Sequence, residues 1–273
     1  MAPSVIQDDN DSVRPNGKDA HVEHASDTGV ADLLKYGNPS LKVTADHRIK
    51  MEEAPIQEPG PGEVLIHIKT TGICGSDIHF WHRGAIGALT VSGDCILGHE
   101  ASGIVLRAHP SVTSLRPGDR VALEPGVPCG TCFLCRAGRY NLCAAVAFAG
   151  VYPHAGTLQR FKTHPAAWCH RLPAAVSFAE GALLEPLSVV MHGVAAAPLA
   201  LGRPALINLK FINRYRDTWP AGISALSGKV LDVKPLVSHV FSLEKAKEAM
   251  ELCADLSQGS IKVQIVDEVD VPV

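Results

Sequence analysis

The chain has 273 residues, of which 46% are apolar and 19% are charged, as expected for a globular protein of one large or two modest domains. Its 25 basic and 28 acidic residues give a formal net charge of -3, so it lacks the basic excess that favours nucleic-acid binding. The most apolar stretch, from Leu187 to Leu201, is interrupted by His192 and Pro198 and is too short to span a bilayer. The N-terminus shows no signal-peptide pattern, and we predict a cytoplasmic protein without membrane or nucleic-acid partners.

Short strands are predicted in the first half of the chain, after a polar, acidic segment. Residues 1–35 lack a periodic apolar pattern and are predicted to be a disordered tail. After the turn sequence Glu58–Glu63, the residues from Val64 to Ile68 alternate like a strand buried on one face. Further strands are predicted at 98–107 and 120–123. Many short strands separated by turns indicate a compact β barrel or sandwich.

Helices are predicted in the second half of the chain. Ser177, with a glutamate three residues later, forms a capping-box sequence that opens the first helix. A second helix follows Pro186, where leucine, valine and methionine side chains recur at helical spacing. A third runs from Leu243 to about Cys253 with Ser242 as its cap, and residues 261–265 alternate as a last strand.

Four of the eight cysteines are crowded together: Cys129, Cys132, Cys135 and Cys143. Thiolates are soft ligands, and four of them can close a tetrahedral shell around Zn²⁺ with no open position. Loop disulfides are an alternative that a reducing compartment disfavours. A nucleic-acid-binding zinc module is a third interpretation, but no helix rich in lysine and arginine follows the last cysteine. We therefore predict a structural zinc ion in a lobe spanning residues 124–145.

A second group of potential metal ligands is dispersed in the sequence. Cys74 lies in the glycine-containing segment 72–77, and His99 and Glu100 follow Gly98. The three side chains supply one sulfur, one nitrogen and one oxygen ligand. A catalytic zinc site uses three protein ligands and leaves one position for water or substrate. The set is therefore a candidate catalytic site, although each residue taken alone is more commonly a packing residue.

The motifs and their order resemble the zinc-containing medium-chain dehydrogenases, and in particular their polyol branch. The segments that carry the resemblance are Glu58–Glu63, Gly72–Asp77, Gly98–Glu100, Arg116–Val121, the four-cysteine cluster and Leu184–Ser188. The resemblance runs from about Tyr36 to Ile207 and resumes from about Asn208 to Asp267. It implies a GroES-like β-barrel catalytic domain, two zinc ions per chain, NAD as the cofactor, a small-molecule polyol substrate and the homotetrameric assembly of the family.

The resemblance also implies roles at the two metal sites. Cys74, His99 and Glu100 fall on the catalytic zinc ligands of the polyol branch, and the four clustered cysteines fall on its structural zinc lobe. Glu185 falls on the glutamate that reaches the catalytic zinc directly or through water. Zinc lowers the pKa of a coordinated hydroxyl, which would prepare a secondary alcohol to give up hydride to nicotinamide.

Further positions match residues that handle protons or substrate in this family. Ser76 and His79 match the hydroxyl and imidazole used for proton exit in related alcohol dehydrogenases, and a plain surface histidine is the alternative for His79. The positions implied to contact the polyol are Phe80, Glu185, Arg214 and Tyr215.

Most of the cofactor domain of this family is missing from the sequence. A Rossmann domain carries a Gly-x-Gly-x-x-Gly turn with an acidic residue about 20 positions later, and no segment of the chain matches. Ile207 runs directly into Asn208, which resembles the last part of that domain. About 60 residues remain after Ile207, whereas a six-stranded sheet needs well over 100. No cofactor-binding residues are therefore assigned.

These observations predict the α+β class, with a GroES-like β-barrel catalytic domain and a truncated remnant of a Rossmann α/β domain. The predicted regions are a tail at 1–35, the zinc-binding catalytic domain at 36–200, the Rossmann remnant at 201–230 and a returning helix and strand at 231–273. Two functions follow. One is a zinc- and NAD-dependent polyol dehydrogenase that oxidises a secondary alcohol to a ketose, impaired by loss of its cofactor domain. The other is a silent zinc-binding chain, from splicing or a faulty gene model, that associates with intact subunits.

Overall fold

The fold is a mixed arrangement of strands and helices, described for residues 27–197 and 212–270 in a computed structural model. The strands are β1 (Pro39–Val43), β2 (Ile49–Glu53), β3 (Glu63–Gly72), β4 (Ala85–Ile86), β5 (Leu89–Thr90), β6 (Cys95–Ile96), β7 (Glu100–Ala108), β8 (Arg120–Leu123), β9 (Gly126–Val127), β10 (Ala147–Phe148), β11 (Phe161–Pro165), β12 (Cys169–Arg171), β13 (Val237–Ser242) and β14 (Lys262–Val266). The α-helices are α1 (Asp27–Leu34), α2 (Gly75–Arg83), α3 (Phe133–Arg136), α4 (Phe178–Ala182), α5 (Leu184–Ala196), α6 (Trp219–Ser227) and α7 (Ala246–Ala254). Short 3-10 helices lie at Tyr140–Leu142, Ala166–Trp168, Lys234–Leu236, Leu243–Lys245 and Leu256–Gln258.

The largest sheet has seven strands, and β3 lies at its centre. The strand order is β12, β8, β7, β3, β14, β13, with β11 also paired to β3. One edge of β3 pairs with β7, whereas the other edge is shared between β11, beside Glu63–His67, and β14, beside Thr70–Gly72. Of the paired strands in the described ranges, β13 and β14 alone run parallel. The mixed content and the position of β14 agree with the predicted α+β class.

The predicted strands form with small shifts at their ends. The strand expected from Val64 extends over the ten residues of β3, and β8 has the predicted bounds. β7 begins at Glu100 instead of Gly98, because the backbone turns at Gly98 with a φ of 90°. A Cβ atom at Gly98 would lie 2.9 Å from the backbone nitrogen of Leu158, so both the turn and the close approach require glycine here.

The first residues of two predicted helices, α4 and α5, follow from residue types near their N-termini. The capping box at α4 is confirmed: the Glu180 N–H donates to Ser177 Oγ at 3.2 Å, and the Ser177 N–H donates to Glu180 Oε2 at 2.9 Å. α5 begins at Leu184, two residues before Pro186. Proline is tolerated there because the N–H groups of a first helical turn have no acceptor within the helix.

Ser242 occupies the predicted N-cap position before Leu243, but its side chain makes no capping hydrogen bond. The chain instead passes through the 3-10 turn Leu243–Lys245 before α7 begins at Ala246. The apolar face of α7 still packs as its spacing predicted, and Ala246, Ala249 and Met250 are completely buried. The periodicity therefore located the helix, although not its first residue.

The prediction of a disordered tail over residues 1–35 is wrong for its last part. α1 occupies Asp27–Leu34, and Val30 and Leu33 are buried in a cluster with Leu65, Leu106 and Phe161. Two apolar residues at helical spacing bury enough apolar surface against β3, β7 and β11 to order this segment. Residues 1–26 and the first part of the predicted Rossmann remnant, 201–211, lie outside the described residues.

Helices α4, α5 and α6 cover one end of the large sheet and share a core cluster. Leu184 and Trp219 are almost fully buried in it, together with Tyr215, Leu226 and Val233. α6 has no counterpart among the predicted helices. Within the described ranges the longest helix is α5, with 13 residues, and none combines the length and hydropathy needed to cross a bilayer.

Candidate metal centres

The dispersed ligand set converges at one end of β3. Sheet pairing places Gly72, at the end of β3, opposite Glu100, at the start of β7. Cys74 lies two residues beyond Gly72 and immediately precedes α2, and His99 precedes Glu100. Ligand atoms of Cys74, His99 and Glu100 all lie within 4.8 Å of one another. One thiol, one imidazole and one carboxylate at this separation fit a zinc ion, which takes sulfur, nitrogen and oxygen ligands together.

A buried aspartate joins the two loops that carry these ligands. Asp77 is fully buried; its Oδ2 accepts from the Cys74 N–H at 3.0 Å, and its Oδ1 accepts from the Gly98 N–H at 3.0 Å. The same Oδ1 lies 3.7 Å from His99 Nδ1. Asp77 therefore fixes the backbone on both sides of the ligand set and carries a negative charge close to the imidazole.

The Glu100 carboxylate is held by a lysine from the C-terminal strand. Lys262 Nζ, at the start of β14, donates to both Glu100 oxygens at 2.7 Å and to the Ile73 carbonyl at 3.2 Å. The negative charge of Glu100 outweighs the effect of burial and raises the pKa of Lys262 above its usual value. A Cβ atom at position 72 would lie 2.1 Å from Glu100 Oε2, so Gly72 leaves the space that this carboxylate occupies.

The charges around the site favour a cation. Burial alone would lower the pKa of His99, but the Asp77 carboxylate, the Cys74 thiol and the Glu185 carboxylate outweigh it and raise the pKa to about 10. Glu185, buried in the first turn of α5, has a pKa raised to about 7 by burial and by Glu100. Positive charge is stabilised where negative groups are buried together, which suits a divalent ion.

The side chain of Tyr215 lies close to Glu185. Its hydroxyl is buried and has no hydrogen-bond partner among the described residues. Burial and the nearby Glu185 carboxylate raise the pKa of Tyr215 well above its usual value, so the hydroxyl stays protonated. A buried hydroxyl without a partner is costly, and a hydroxyl-bearing ligand would satisfy it.

The four clustered cysteines form the second metal centre. The Sγ–Sγ distances are 3.4 Å for Cys132 and Cys135, 3.9 Å for Cys129 and Cys135, and 4.0 Å for Cys132 and Cys143. A tetrahedral zinc with Zn–S bonds of about 2.3 Å requires sulfur atoms about 3.8 Å apart. All eight cysteines of the chain are free, so the disulfide alternative receives no support.

Backbone N–H groups surround the four sulfur atoms. The N–H groups of Cys132, Cys135 and Cys129 donate to the sulfurs of Cys129, Cys132 and Cys143 at 3.4 to 3.5 Å. The backbone N–H groups of Thr131 and Cys132, the Thr131 hydroxyl and the Cys143 thiol lower the pKa of Cys129 to about 6. Thiolates that accept hydrogen bonds from fixed backbone groups are already arranged to bind a metal ion.

Comparison with known proteins identifies the family. The family described as "Alcohol dehydrogenase GroES-like domain" matches residues 60–174. L-arabinitol 4-dehydrogenase from Talaromyces emersonii is 48% identical over 174 residues, which is 63% of this chain and 45% of the relative. L-arabinitol 4-dehydrogenase from Aureobasidium melanogenum is 31% identical over 349 residues, covering 84% of this chain and 95% of the relative. The chain belongs to the polyol branch of the zinc-containing medium-chain dehydrogenases.

Part of the length of the related proteins is not matched by this chain. The chain spans about half the length of the curated relatives it matches, with 48%, 45% and 50% of three of them covered. The match to the Aureobasidium protein runs over 349 positions, more than the 273 residues of this chain, so part of that relative has no counterpart here. The junction of Ile207 and Asn208 remains the predicted position of this difference.

Solved structures show the same medium-chain dehydrogenase fold. An oxidoreductase/dehydrogenase of unknown specificity from Escherichia coli superposes with a TM-score of 0.78 at 23% identity, covering 85% of this chain and 100% of that chain. The 2R,3R-butanediol dehydrogenase from Bacillus subtilis superposes with a TM-score of 0.74 at 18% identity, covering 85% of this chain and 100% of that chain. At these identities the likeness concerns the fold.

The other residues that match the family's proton and substrate positions are not all gathered at the metal site. Ser76 is half-buried and His79 exposed on α2, whereas Phe80 is packed in the apolar core beside α7. Arg214 has a positive φ of 58°, donates to the Asn141 carbonyl at 3.2 Å and lies over the Phe148 ring. Their proposed roles remain predictions, and only Glu185 and Tyr215 have an observed relation to the ligand set.

Two residues that shape the metal site were missed by sequence reasoning. Asp77 follows Cys74 by three residues, where an acidic residue caps a helix, and this spacing was the available signal. Lys262 is 162 positions from Glu100, and nothing local in the sequence links the two. Only the pairing of β14 with β3 brings this lysine to the site.

Proposed function

We propose that Cys74, His99 and Glu100 hold the catalytic zinc ion of a polyol dehydrogenase. The observation that carries the proposal is the convergence of their ligand atoms within 4.8 Å beside the buried Glu185. When bound, zinc would act as a Lewis acid that makes a coordinated secondary hydroxyl more acidic. The four-cysteine lobe, which offers no ligand type other than sulfur, would hold a second, structural zinc ion.

The side chains next to the ligand set favour a substrate with several hydroxyl groups. The Glu185 carboxyl group can accept a hydrogen bond, and the buried Tyr215 hydroxyl is available to pair with a substrate hydroxyl. A site built on such bonds rejects analogues that lack the hydroxyls, because its buried polar groups are then left unpaired. The names of the relatives, L-arabinitol 4-dehydrogenase and sorbitol dehydrogenase, support a polyol.

A second candidate function is a zinc-binding chain that does not turn over. The observation that favours it is the absence of the glycine-rich turn that would receive the pyrophosphate of NAD at a helix N-terminus. Without a cofactor held about 3 to 3.5 Å from the substrate carbon, hydride transfer loses the positioning on which its rate depends. Association with an intact subunit would then be the remaining route to activity.

One set of measurements distinguishes the two functions. The full chain, loaded with zinc, is assayed for NADH formation with L-arabinitol and NAD, and titrated calorimetrically with NAD. NADH formation that Cys74→Ser abolishes and Cys253→Ser preserves would establish the dehydrogenase. Bound zinc without NAD binding or turnover, which we expect for this chain alone, would establish the second function. A folded protein without zinc would contradict both.

A further inference from the structure

We propose that Lys162 is a nucleophilic amine that forms imines with small hydroxyaldehydes. The residue lies on β11 and lines a cavity of about 240 Å³ whose lining also includes Lys42, Gln57, Asp94, Cys95 and Thr163. This cavity shares none of its lining residues with either metal centre. The inference therefore stands apart from the proposed dehydrogenase activity.

The hydrogen bonding of Lys162 differs from that of the other lysine in the cavity. Lys162 Nζ donates to the Ala155 carbonyl at 2.7 Å, and no carboxylate in the described ranges lies within 4.0 Å of it. Lys42 Nζ is paired with Glu52 at 3.0 Å. A carbonyl partner does not require the positive charge of the amine, whereas a carboxylate partner stabilises that charge.

The surroundings of Lys162 favour its neutral form. Lys162 is half-buried by accessible surface, and desolvation at the cavity wall lowers its pKa to about 8, with smaller opposing effects from Cys95, Glu63 and Cys169. The titratable groups around it are Lys42, Glu63, Asp94, Cys95, His164 and Cys169. An amine with a pKa near 8 is uncharged in a substantial fraction of molecules at neutral pH, which is the condition for nucleophilic attack.

The neighbouring thiol does not compete for the same electrophile. Cys95 is buried, and its Sγ lies 3.5 Å from the His154 and Ile96 carbonyls. Burial raises the pKa of Cys95 to about 12, so the group remains a protonated thiol. Because the thiolate is the reactive form of cysteine, the amine is the nucleophile of this cavity.

The reaction requires no oxidant or metal. The lone pair of the Lys162 nitrogen attacks the carbonyl carbon, and the electron pair of the C=O π bond moves to oxygen, which takes a proton. The resulting carbinolamine loses one water molecule and leaves a carbon–nitrogen double bond. Overall, one amine and one aldehyde give one imine and one water.

The size and lining of the cavity indicate the class of aldehyde. A volume of about 240 Å³ is below the range of typical drug-sized pockets, which suits an aldehyde of about three to five carbons. The Gln57 amide, the Thr163 hydroxyl and the Asp94 carboxylate at its wall can bind hydroxyl groups. A hydroxylated aldehyde should therefore be preferred over an alkyl aldehyde of equal length.

The test measures site-specific labelling of the full chain. The protein is treated with limiting glyceraldehyde and sodium cyanoborohydride at pH 7.5, and each lysine is quantified by mass spectrometry of chymotryptic peptides. We expect Lys162 to be labelled at least tenfold faster than Lys42, since a pKa lowered to about 8 from the ordinary lysine value of about 10.4 raises the neutral fraction of Lys162 more than about a hundredfold. In urea the two rates should become equal, and Lys162→Arg should remove the fast site only.

Two results would overturn the proposal. Labelling of Lys162 at or below the rate of Lys42 in the native protein would show that the amine is not activated. Equal labelling of Lys162 by propanal and glyceraldehyde, each normalised to Lys229, an exposed lysine outside the cavity, would show that the cavity does not select hydroxyaldehydes. A preference for glyceraldehyde of about threefold or more, together with fast labelling, would support both parts.

Discussion

At the scale of single residues, the metal site depends on groups that are not themselves ligands. Asp77 fixes the backbone of Cys74 and Gly98 with the two oxygens of one carboxylate. Hydrogen-bonded neighbours of metal ligands commonly change metal affinity 10- to 100-fold when they are removed. Asp77 therefore helps to set the position of the Cys74 thiol relative to the His99 imidazole.

We expect Asp77→Asn to weaken zinc at the Cys74 site and to leave the cysteine lobe loaded. The amide presents an NH₂ group to one of the two backbone N–H donors, which then loses its acceptor. Zinc content after dialysis against a mild chelator should fall from about two to about one per chain. Asp255→Asn, which alters an exposed capping aspartate, is the matched control. Retention of both zinc ions by Asp77→Asn would contradict this account.

A second residue-scale prediction concerns acid stability. His164 is buried, its Nε2 lies 2.9 Å from the Glu124 carbonyl, and burial with the nearby Lys162 lowers its pKa to about 3. The folded state therefore holds neutral imidazole, whereas the unfolded chain takes up a proton near pH 6.5. The contribution of His164 to stability is complete above pH 6.5 and is lost progressively as the pH falls towards 3.

His164→Gln removes this titration while keeping an N–H donor for the carbonyl. Between pH 7 and pH 5, we expect the variant to lose about 2 kcal/mol less unfolding free energy than the wild type. Urea unfolding at the two pH values gives the change in unfolding free energy for each protein. Subtracting one change from the other cancels the contributions of all groups that titrate identically in both. An identical pH dependence for the two proteins would mean that His164 is not held neutral.

The residues of the site differ in how far the sequence alone could locate them. Cys74, His99 and Glu100 were found because metal-binding residue types occur in short glycine-flanked motifs. Lys262 could not be found, because its contact with Glu100 exists only through strand pairing. Phe80 fell in a site motif, but its position on the inner face of α2 packs it in the core. Sites built from residues close in sequence can therefore be predicted from short motifs, whereas contacts between distant residues depend on how the strands pair.

At the scale of elements, the cysteine lobe supports the segment that carries Tyr215. Asn141 Nδ2 donates to the Asn213 carbonyl at 2.9 Å, and the Asp217 N–H donates to Tyr140 Oη at 2.8 Å. Arg214 and Arg216 donate to backbone carbonyls of the lobe at 3.2 and 2.5 Å. A zinc ion that orders the lobe would therefore also order the segment 213–217.

We expect Cys132→Ser to release one zinc ion and to loosen the segment 213–217 as well as the lobe. Amide hydrogen exchange should show lost protection at Asp217, whose N–H donates to the lobe. Cys74→Ser, which removes a ligand from the other centre, should leave this protection intact and cause less loss of stability. Equal exchange at Asp217 in the wild type and Cys132→Ser would show that the lobe does not support this segment.

Elements with a strong local signal were predictable, and those defined by packing were not. The capping box placed α4, and the alternating pattern placed β3 and β14. α1 was missed because Val30 and Leu33 stand alone in a polar segment and gain their stability from β3, β7 and β11. α6 was missed because it begins with a Trp-Pro pair and because a glycine, Gly222, lies where Leu184 packs against the helix.

At the scale of the whole molecule, an apolar groove remains exposed beside the Glu100–Lys262 pair. It has a volume of about 280 Å³ and is lined by Leu183, Pro186, Leu187, Val190, Val233, Leu236, Ile261 and Lys262. Val190 is 61% exposed and Ile261 is 70% exposed. Apolar residues that are clustered at the surface promote association, whereas isolated ones do not.

We expect Val190→Glu to reduce self-association of the chain without loss of stability. Val190 is on the solvent side of α5, where a glutamate is compatible with the helix and changes stability by about 0.5 kcal/mol or less. Sedimentation velocity over a range of concentrations measures the effect. Leu256→Glu, at an exposed residue outside the groove, is the matched control. Equal association of Val190→Glu and the wild type would show that the groove does not mediate self-association.

The pairing of β14 with β3 also sets the order in which the protein can be completed as it is synthesised. Thr70, Thr71 and Gly72 leave the ribosome long before Gln264, Ile265 and Val266, with which they pair. Until the last strand emerges, this stretch of β3 has an open edge, and Glu100 lacks its lysine partner. Unpaired strand edges of this kind recruit other chains. A nascent chain that ends before residue 262 should therefore depend on chaperones. Zinc that binds Cys74 at that stage would bind a site in which Glu100 is not yet held by Lys262.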